Sequence, residues 1–246
     1  MTKITILGGG SYTWGPTFLR DIFATPELKG STIILEDIMQ DRLDLVYSLG
    51  QKMIEDFNLD FQLEKTLSLD EALQDAEFII LTITTGRLES MRPDLEIPAQ
   101  YGIRQSVGDT TGPGGLSRAL RNIPVVAEIG RKVMEICPNA LFLNYTNPMT
   151  VLTRILAMQG ARVVGLCHEW IGVREHLAQL FNTKTENIEA KIAGVNHLIW
   201  VTDLTADGKH VWDVVPAIAD KILTDEFKVG EDDTSVFADH AKVKST

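Results

Sequence analysis

Two side chains able to share a metal ion stand on separate segments of this chain. Cys167 is followed by His168 and Glu169, and His197 is preceded by Asn196. A thiolate and an imidazole both bind first-row divalent ions. From spacing alone the plainer reading is favoured: a lone cysteine is most often a small buried hydrophobe, and a lone histidine a hydrogen-bonded polar group. A second constellation points to a nucleotide. Gly8-Gly9-Gly10-Ser11 lies between an apolar run and a helical pattern. Glycines let the backbone approach a pyrophosphate, and a helix N-terminus offers N–H groups and partial positive charge. Thr13 stands where the third glycine of G-x-G-x-x-G belongs, so a plain glycine turn competes. Asp37, closing the second apolar run, favours the nucleotide. An acid there can bind the adenosine ribose hydroxyls and would repel the 2′-phosphate of NADP, which selects NAD. A third constellation is Asn144-Tyr145-Thr146-Asn147-Pro148. Asn147 could hydrogen-bond a nicotinamide ribose or a sugar hydroxyl, or the segment could be only a turn and helix start before Pro148.

The elements that must position these residues follow from periodicity. Lys3–Leu7, Ser31–Leu35, Phe78–Ile83, Leu141–Leu143 and Val163–Leu166 are short apolar runs, the mark of strands covered on both faces. Helical spacing fills Thr17–Ala24, Asp41–Phe57, Ile123–Ile136 and Met149–Gln159. Strands alternating with helices imply right-handed βαβ units and a parallel sheet. Residues 84–118, rich in Gly, Pro, Thr and Arg, read as a long functional loop. After residue 170 the pattern changes, with strands expected at Ile188–Val195 and Ile199–Leu204 flanking Asn196–His197. The polar stretch from Phe227 is expected to be loop. The fold class is therefore α/β: a Rossmann-type parallel sheet with helices on both faces, over residues 1–166. The start of a second, α+β domain for metal and substrate follows over 167–246.

Composition narrows the partners. The 246 residues carry a formal net charge of −11, and 44% are hydrophobic. Such a surface repels phosphate backbones and anionic lipid, which argues against nucleic acid and membrane. No apolar run approaches the ~20 residues that span a bilayer, and the N-terminus is too short and strand-like for a signal peptide. A cytoplasmic protein is expected. Its two cysteines, Cys137 and Cys167, would be reduced thiols there, and Cys137 is expected to be structural.

Taken in order, these motifs resemble glycoside hydrolase family 4. The resemblance runs over residues 3–204. Besides the segments above it rests on Gly108-Asp109-Thr110-Thr111-Gly112-Pro113-Gly114-Gly115, Arg118-Ala119-Leu120-Arg121 and Gly194-Val195-Asn196-His197. It implies bound NAD and a divalent metal, typically manganese, in place of the usual two-carboxylate hydrolysis. In such an enzyme C3 of the sugar is oxidised, the acidified C2 proton is removed, and the C1 leaving group is eliminated. Water then adds and the hydride returns, with no net redox change. The resemblance makes Cys167 and His197 the metal ligands. Gly8, Gly9, Gly10, Ser11 and Asp37 would hold the cofactor. Asn147 and Asn196 would touch substrate or cofactor, and Asn147 joins His168 among the catalytic candidates. His168 stands where some members carry a general acid, which a histidine can be near neutral pH; a substrate-binding role is the alternative. Arg87 and Arg92 fall where members have arginines facing the sugar.

His168-Glu169-Trp170 after the cysteine, with Gln105-Ser106-Val107-Gly108-Asp109-Thr110, looks most like the branch that includes α-galacturonidases. A uronate carboxylate suits an arginine fork. A 6-phospho-glycosidase of the same family is an alternative. So is an NAD-dependent hydroxy-acid dehydrogenase of the lactate or malate type, and so is an inactive NAD-binding fragment. Members usually exceed 400 residues, and the part beyond residue 246 is expected to supply the C2 base. A homo-oligomer is also expected.

Overall fold

A computed structural model describes residues 2–105, 108–212 and 215. The described residues fall into two compact units. The first takes residues up to Ile103 together with Gly108–Leu166, and the second takes residues 104–105 and those from Cys167 onward.

The first unit is built on six parallel strands: β1 (Lys3–Leu7), β2 (Thr32–Glu36), β3 (Gln62–Thr66), β4 (Phe78–Leu81), β5 (Leu141–Asn144) and β6 (Arg162–Gly165). Their spatial order is β3-β2-β1-β4-β5-β6. The direction of winding reverses between β1 and β4, and ligands of such sheets bind outside the strand ends at that point. Six helices cover the sheet: α1 (Trp14–Phe23), α2 (Gln40–Asp56), α3 (Leu69–Leu73), α4 (Arg87–Gln100), α5 (Gly112–Ile136) and α6 (Met149–Met158). Alternation along β1 shows how the two faces divide. Ile4 and Ile6 pack with Phe18 and Leu19 of α1 and with Leu43 and Val46 of α2. Leu7 packs on the other face, with Leu73 of α3, Val126 and Val133 of α5, and Leu152 and Leu156 of α6. Thr5 is fully buried and its hydroxyl donates to the Ala72 carbonyl at 2.7 Å, so it costs no unsatisfied polar group.

The stretch 84–118 is not one long loop. Helix α4 takes fourteen of its residues and α5 begins at Gly112. Pro93 and Pro98 disguise α4. A proline in the first turn and close-packed glycines disguise the start of α5: a Cβ on Gly115 would lie 2.4 Å from the Thr110 carbonyl. The sequence reading also passed over β3, α3 and a further helix in the second unit.

That helix is α7 (Glu169–Leu180). It shares the second unit with an antiparallel sheet of β7 (Ile188–Val195), β8 (Leu198–Ala206) and β9 (Lys209–His210). Ala178 of α7 packs with Ile188, Leu204, Ala206 and Val211 in a small core. Asn196 and His197 form the tight turn between β7 and β8. The stretch from Phe227 expected to be loop lies outside the described residues.

The third glycine absent from position 13 has a substitute. Gly15, buried in the first turn of α1, is where α1 meets the glycine loop and α2. An added Cβ there would lie 2.8 Å from the Gly9 carbonyl oxygen and 2.9 Å from Val46 Cγ1. Gly15→Ala should therefore lose ~1–3 kcal/mol by overpacking. Gly172→Ala, in α7 where an added Cβ meets nothing within 4 Å, should be neutral or slightly stabilising. Urea denaturation of the two variants checks the contrast, and equal behaviour would show that α1 is free to shift.

Candidate functional site

The glycine loop leaves β1 at Leu7 and is held almost entirely by β2. The amides of Gly8 and Gly9 both donate to the Glu36 carbonyl, at 2.9 and 2.7 Å. Gly10 donates to Asp37 Oδ2 at 3.0 Å, and Asp37 Oδ1 accepts from the Met39 amide at 3.0 Å. Ser11 donates from its amide to the Gly8 carbonyl, and its hydroxyl accepts from the Trp14 amide. The first four amides of the loop are thus taken up within the chain. An anion would be met by the amides that follow, at the N-terminus of α1. Gly8 (φ +87) has no room for a side chain, because a Cβ would lie 2.2 Å from the Thr82 carbonyl oxygen after β4. Asp37 has a role the sequence did not disclose: it locks the loop onto the end of β2. An ionised carboxylate has about four lone-pair sites, so two remain for a ribose diol.

Beside it, the Glu36 side chain is buried. Burial first, then the adjacent Asp37 charge, pushes its pKa up to about 7, against a partial pull downward from the Gly8 amide.

Asn147 sits at the centre of a second network, which joins three of the sequence motifs. Its carbonyl accepts from Arg118 Nε at 3.1 Å and from Asn122 Nδ2 at 2.9 Å, two donors one turn apart on α5. Its side chain donates to Asp109 Oδ2 at 3.0 Å and accepts from the Met149 amide at 3.2 Å. Arg118 is a buried cation whose proton affinity burial lowers and the Asp109 charge partly restores. The segments 108–115, 118–121 and 144–148 therefore act on one residue. Nothing in the spacing showed that.

The second unit brings Cys167 and His197 together. Sγ lies 3.3 Å from Nε2. Two ligands bonded to one ion at ~2.0–2.3 Å stand roughly 3–3.6 Å apart at ordinary coordination angles, so the pair fits a shared divalent metal. Burial raises the Cys167 thiol, but the His197 hydrogen bond and the Glu169 amide outweigh it and hold the thiol below its ordinary value. Among the described residues no third His, Cys, Asp or Glu completes a metal-binding group. His197 has φ +62 and its amide donates to Glu169 Oε2 at 2.8 Å.

The other candidates are more scattered. His168 is exposed and caps the start of α7, its carbonyl accepting from the Gly172 amide. Asn196 is half-buried beside His197. Arg87 and Arg92 are exposed and helical, not on a loop. Arg87 opens α4 with φ +54, and Arg92 faces Glu96 at 4.0 Å. Cys137 is buried and its thiol raised by that burial, as suits a packing residue. No helix among the described residues is long and apolar enough to cross a membrane.

The family model of family 4 glycosyl hydrolases matches residues 3–183. The chain belongs to that family. An α-galacturonidase of Bacillus subtilis (strain 168) is 35% identical over 225 residues, covering 87% of this chain and 48% of its own length. An α-galactosidase of the same organism is 36% identical over 214 residues, covering 86% and 50%. Among solved structures, a 6-phospho-α-glucosidase from gut microorganisms, in complex with NAD and Mn2+, aligns with a TM-score of 0.78 at 25% identity. That alignment covers 89% of this chain and 51% of the other. The chain spans about half the length of the relatives it matches. Family membership favours the glycosidase reading over the hydroxy-acid dehydrogenase one. Near-equal identity to enzymes of different sugars leaves the substrate to the site.

Two outcomes follow from the loop. Asp37→Ala should weaken NAD binding by ~1.5–3 kcal/mol, the worth of a hydrogen bond to a charged group, as read by calorimetry; equal affinity in a folded variant would remove the role. For Glu36, the folded-state pKa of about 7 lies above the ordinary value of 4.5. The folded protein holds the extra proton between these values, so stability falls as pH rises from 4.5 to 7. Glu36→Gln titrates nothing there. Its stability relative to wild type should rise by ~2–3 kcal/mol between pH 4.5 and 8, measured by denaturant unfolding at both pH values. A flat difference would mean that Glu36 stays ionised.

Proposed function

We propose that the protein is an NAD- and divalent-metal-dependent glycosidase of α-glycosides, with an α-galacturonide or related uronide as substrate. Its route is oxidation at C3, loss of the C2 proton, elimination at C1, addition of water and re-reduction. The observation that carries this reading is the 3.3 Å approach of Cys167 Sγ to His197 Nε2 in a member of family 4. A direct-displacement glycosidase or a simple dehydrogenase has no need of such a pair. When bound, NAD supplies a reversible hydride acceptor for C3 and a manganese ion a Lewis acid for the C2 and C3 oxygens.

The chain's own residues divide the remaining work. Gly8, Gly9, Gly10 and Ser11 shape the pyrophosphate cradle at the head of α1, and Asp37 holds that cradle while offering its spare lone pairs to the ribose. Asn147 has its amide direction set by Asp109 and Met149, so it presents a fixed donor edge to ribose or sugar. Cys167 and His197 hold the metal, and Asn196 lies beside them for a sugar hydroxyl. His168, exposed at the start of α7, is the candidate proton donor to the departing oxygen. Arg87 and Arg92 offer guanidinium forks to a C6 carboxylate. The uronide assignment is supported by His168-Glu169-Trp170 after the cysteine and by the α-galacturonidase relatives. The 6-phospho-glycosidase reading is the second, favoured by the structural relative named for that activity.

The test is isotopic. An acidified C2 proton exchanges with solvent before it returns, so sugar released in heavy water with NAD, manganese and a thiol reductant should carry deuterium at C2. NADH should not accumulate. Undeuterated product together with full activity after NAD is stripped would overturn the mechanism.

A further inference from the structure

We propose that Glu169 is the positioning residue of the metal pair, the group that fixes His197 opposite Cys167. The inference rests on the reading of Cys167 and His197 as metal ligands and adds a residue that neither ligates nor touches the sugar. Glu169 reaches both partners. Its backbone amide donates to Cys167 Sγ at 3.4 Å, and its carboxylate Oε2 accepts from the His197 amide at 2.8 Å, across 28 residues of chain. One residue at the head of α7 thus touches both the sulfur and the backbone that carries the ring.

The turn needs such a clamp. His197 stands at φ +62, a left-handed backbone that a residue with a Cβ keeps only when its surroundings enforce it. Its flanks are open: Val195 and Leu198 are both exposed, at 45% and 50%. A histidine on an untethered hairpin tip would sample many positions of its ring, and each would have to be lost again on binding an ion. The carboxylate removes that freedom in advance. It is also well placed electrostatically, since a negative charge in the first turn of a helix is favoured by the helix dipole. Outer groups that orient a ligand change metal affinity by about 10–100-fold when removed.

Glu169→Gln keeps an acceptor at the same reach and gives up the charge. Glu169→Asp keeps the charge and gives up the reach. Glu169→Ala gives up both. Two readouts are taken on each variant and on wild type. Hydrogen exchange of the His197 amide is followed in the metal-free protein, and manganese affinity is measured by electron paramagnetic resonance titration. The expected result is rapid exchange and at least about 10-fold weaker manganese binding in Glu169→Ala, with both properties kept within about 3-fold in Glu169→Gln. Should the alanine variant not fold, the order of the other two decides, with Gln tighter than Asp. An amide equally protected in Glu169→Ala, manganese affinity unchanged once protection is lost, or Asp tighter than Gln would each overturn the proposal. Cys167→Ser and His197→Ala separate the two levels. If both bind manganese like wild type, the metal reading itself fails and the positioning role falls with it. If they lose binding while Glu169→Ala keeps it, only the role of Glu169 is wrong.

Discussion

Where a parallel strand ends, the loop that leaves it carries amides with no ladder partner, and in a covered sheet water does not reach all of them. Satisfying those amides, and the polar groups of other turns and loops, is the constraint around which each unit is arranged. The chain answers it repeatedly with a carboxylate or a strand carbonyl from a neighbouring segment. Glu36, through its carbonyl, and Asp37, through its side chain, take the glycine loop after β1. Asp109 takes the side-chain amide of Asn147 after β5. In the second unit Glu169 takes the amide of the β7–β8 turn. In each case the acceptor stops a segment from moving and brings a chemically useful group to a fixed place.

This arrangement concentrates negative charge where an anionic cofactor is expected, and the fold manages that in more than one way. Each Asp37 oxygen accepts an amide hydrogen, which spreads its charge into the backbone. Glu36, buried beside that charge with only a partial pull from the Gly8 amide, keeps a proton up to about neutral pH. Asp109 faces the buried Arg118 cation. Preorganised dipoles of this kind cost nothing to align when a ligand arrives.

Much of this could be read from the residues, and the gaps have physical reasons. Strands β1, β2, β4 and β5 are legible because burial on both faces writes them as continuous apolar runs. β3 is not, because an edge strand of Gln62-Leu63-Glu64-Lys65-Thr66 buries only Leu63. α4 was hidden by its own prolines, and α7 by having a single fully buried residue, Ala178. Among the site residues, the types at Cys167 and His197 suggested a metal only weakly until the order of motifs was taken together. Their 3.3 Å approach belongs to tertiary structure and leaves no trace in a spacing of thirty residues. The locking of Gly10 by Asp37 and the substitute glycine at position 15 are of the same kind. Each depends on which backbone passes near which side chain. Glu169 was visible only as the neighbour of a cysteine.

The order of the sheet leaves two strands, β3 and β6, as its edges among the described residues. An edge offers unpaired N–H and C=O groups to any extended chain that drifts past, and that is how folded sheets template aggregates. β3 answers with polarity: Gln62, Glu64 and Lys65 interrupt the only apolar side chain facing inward. β6 answers with brevity, four residues begun by exposed Arg162 and closed by Gly165. The same features that made β3 hard to recognise as a strand make it a poor seed for a misplaced one.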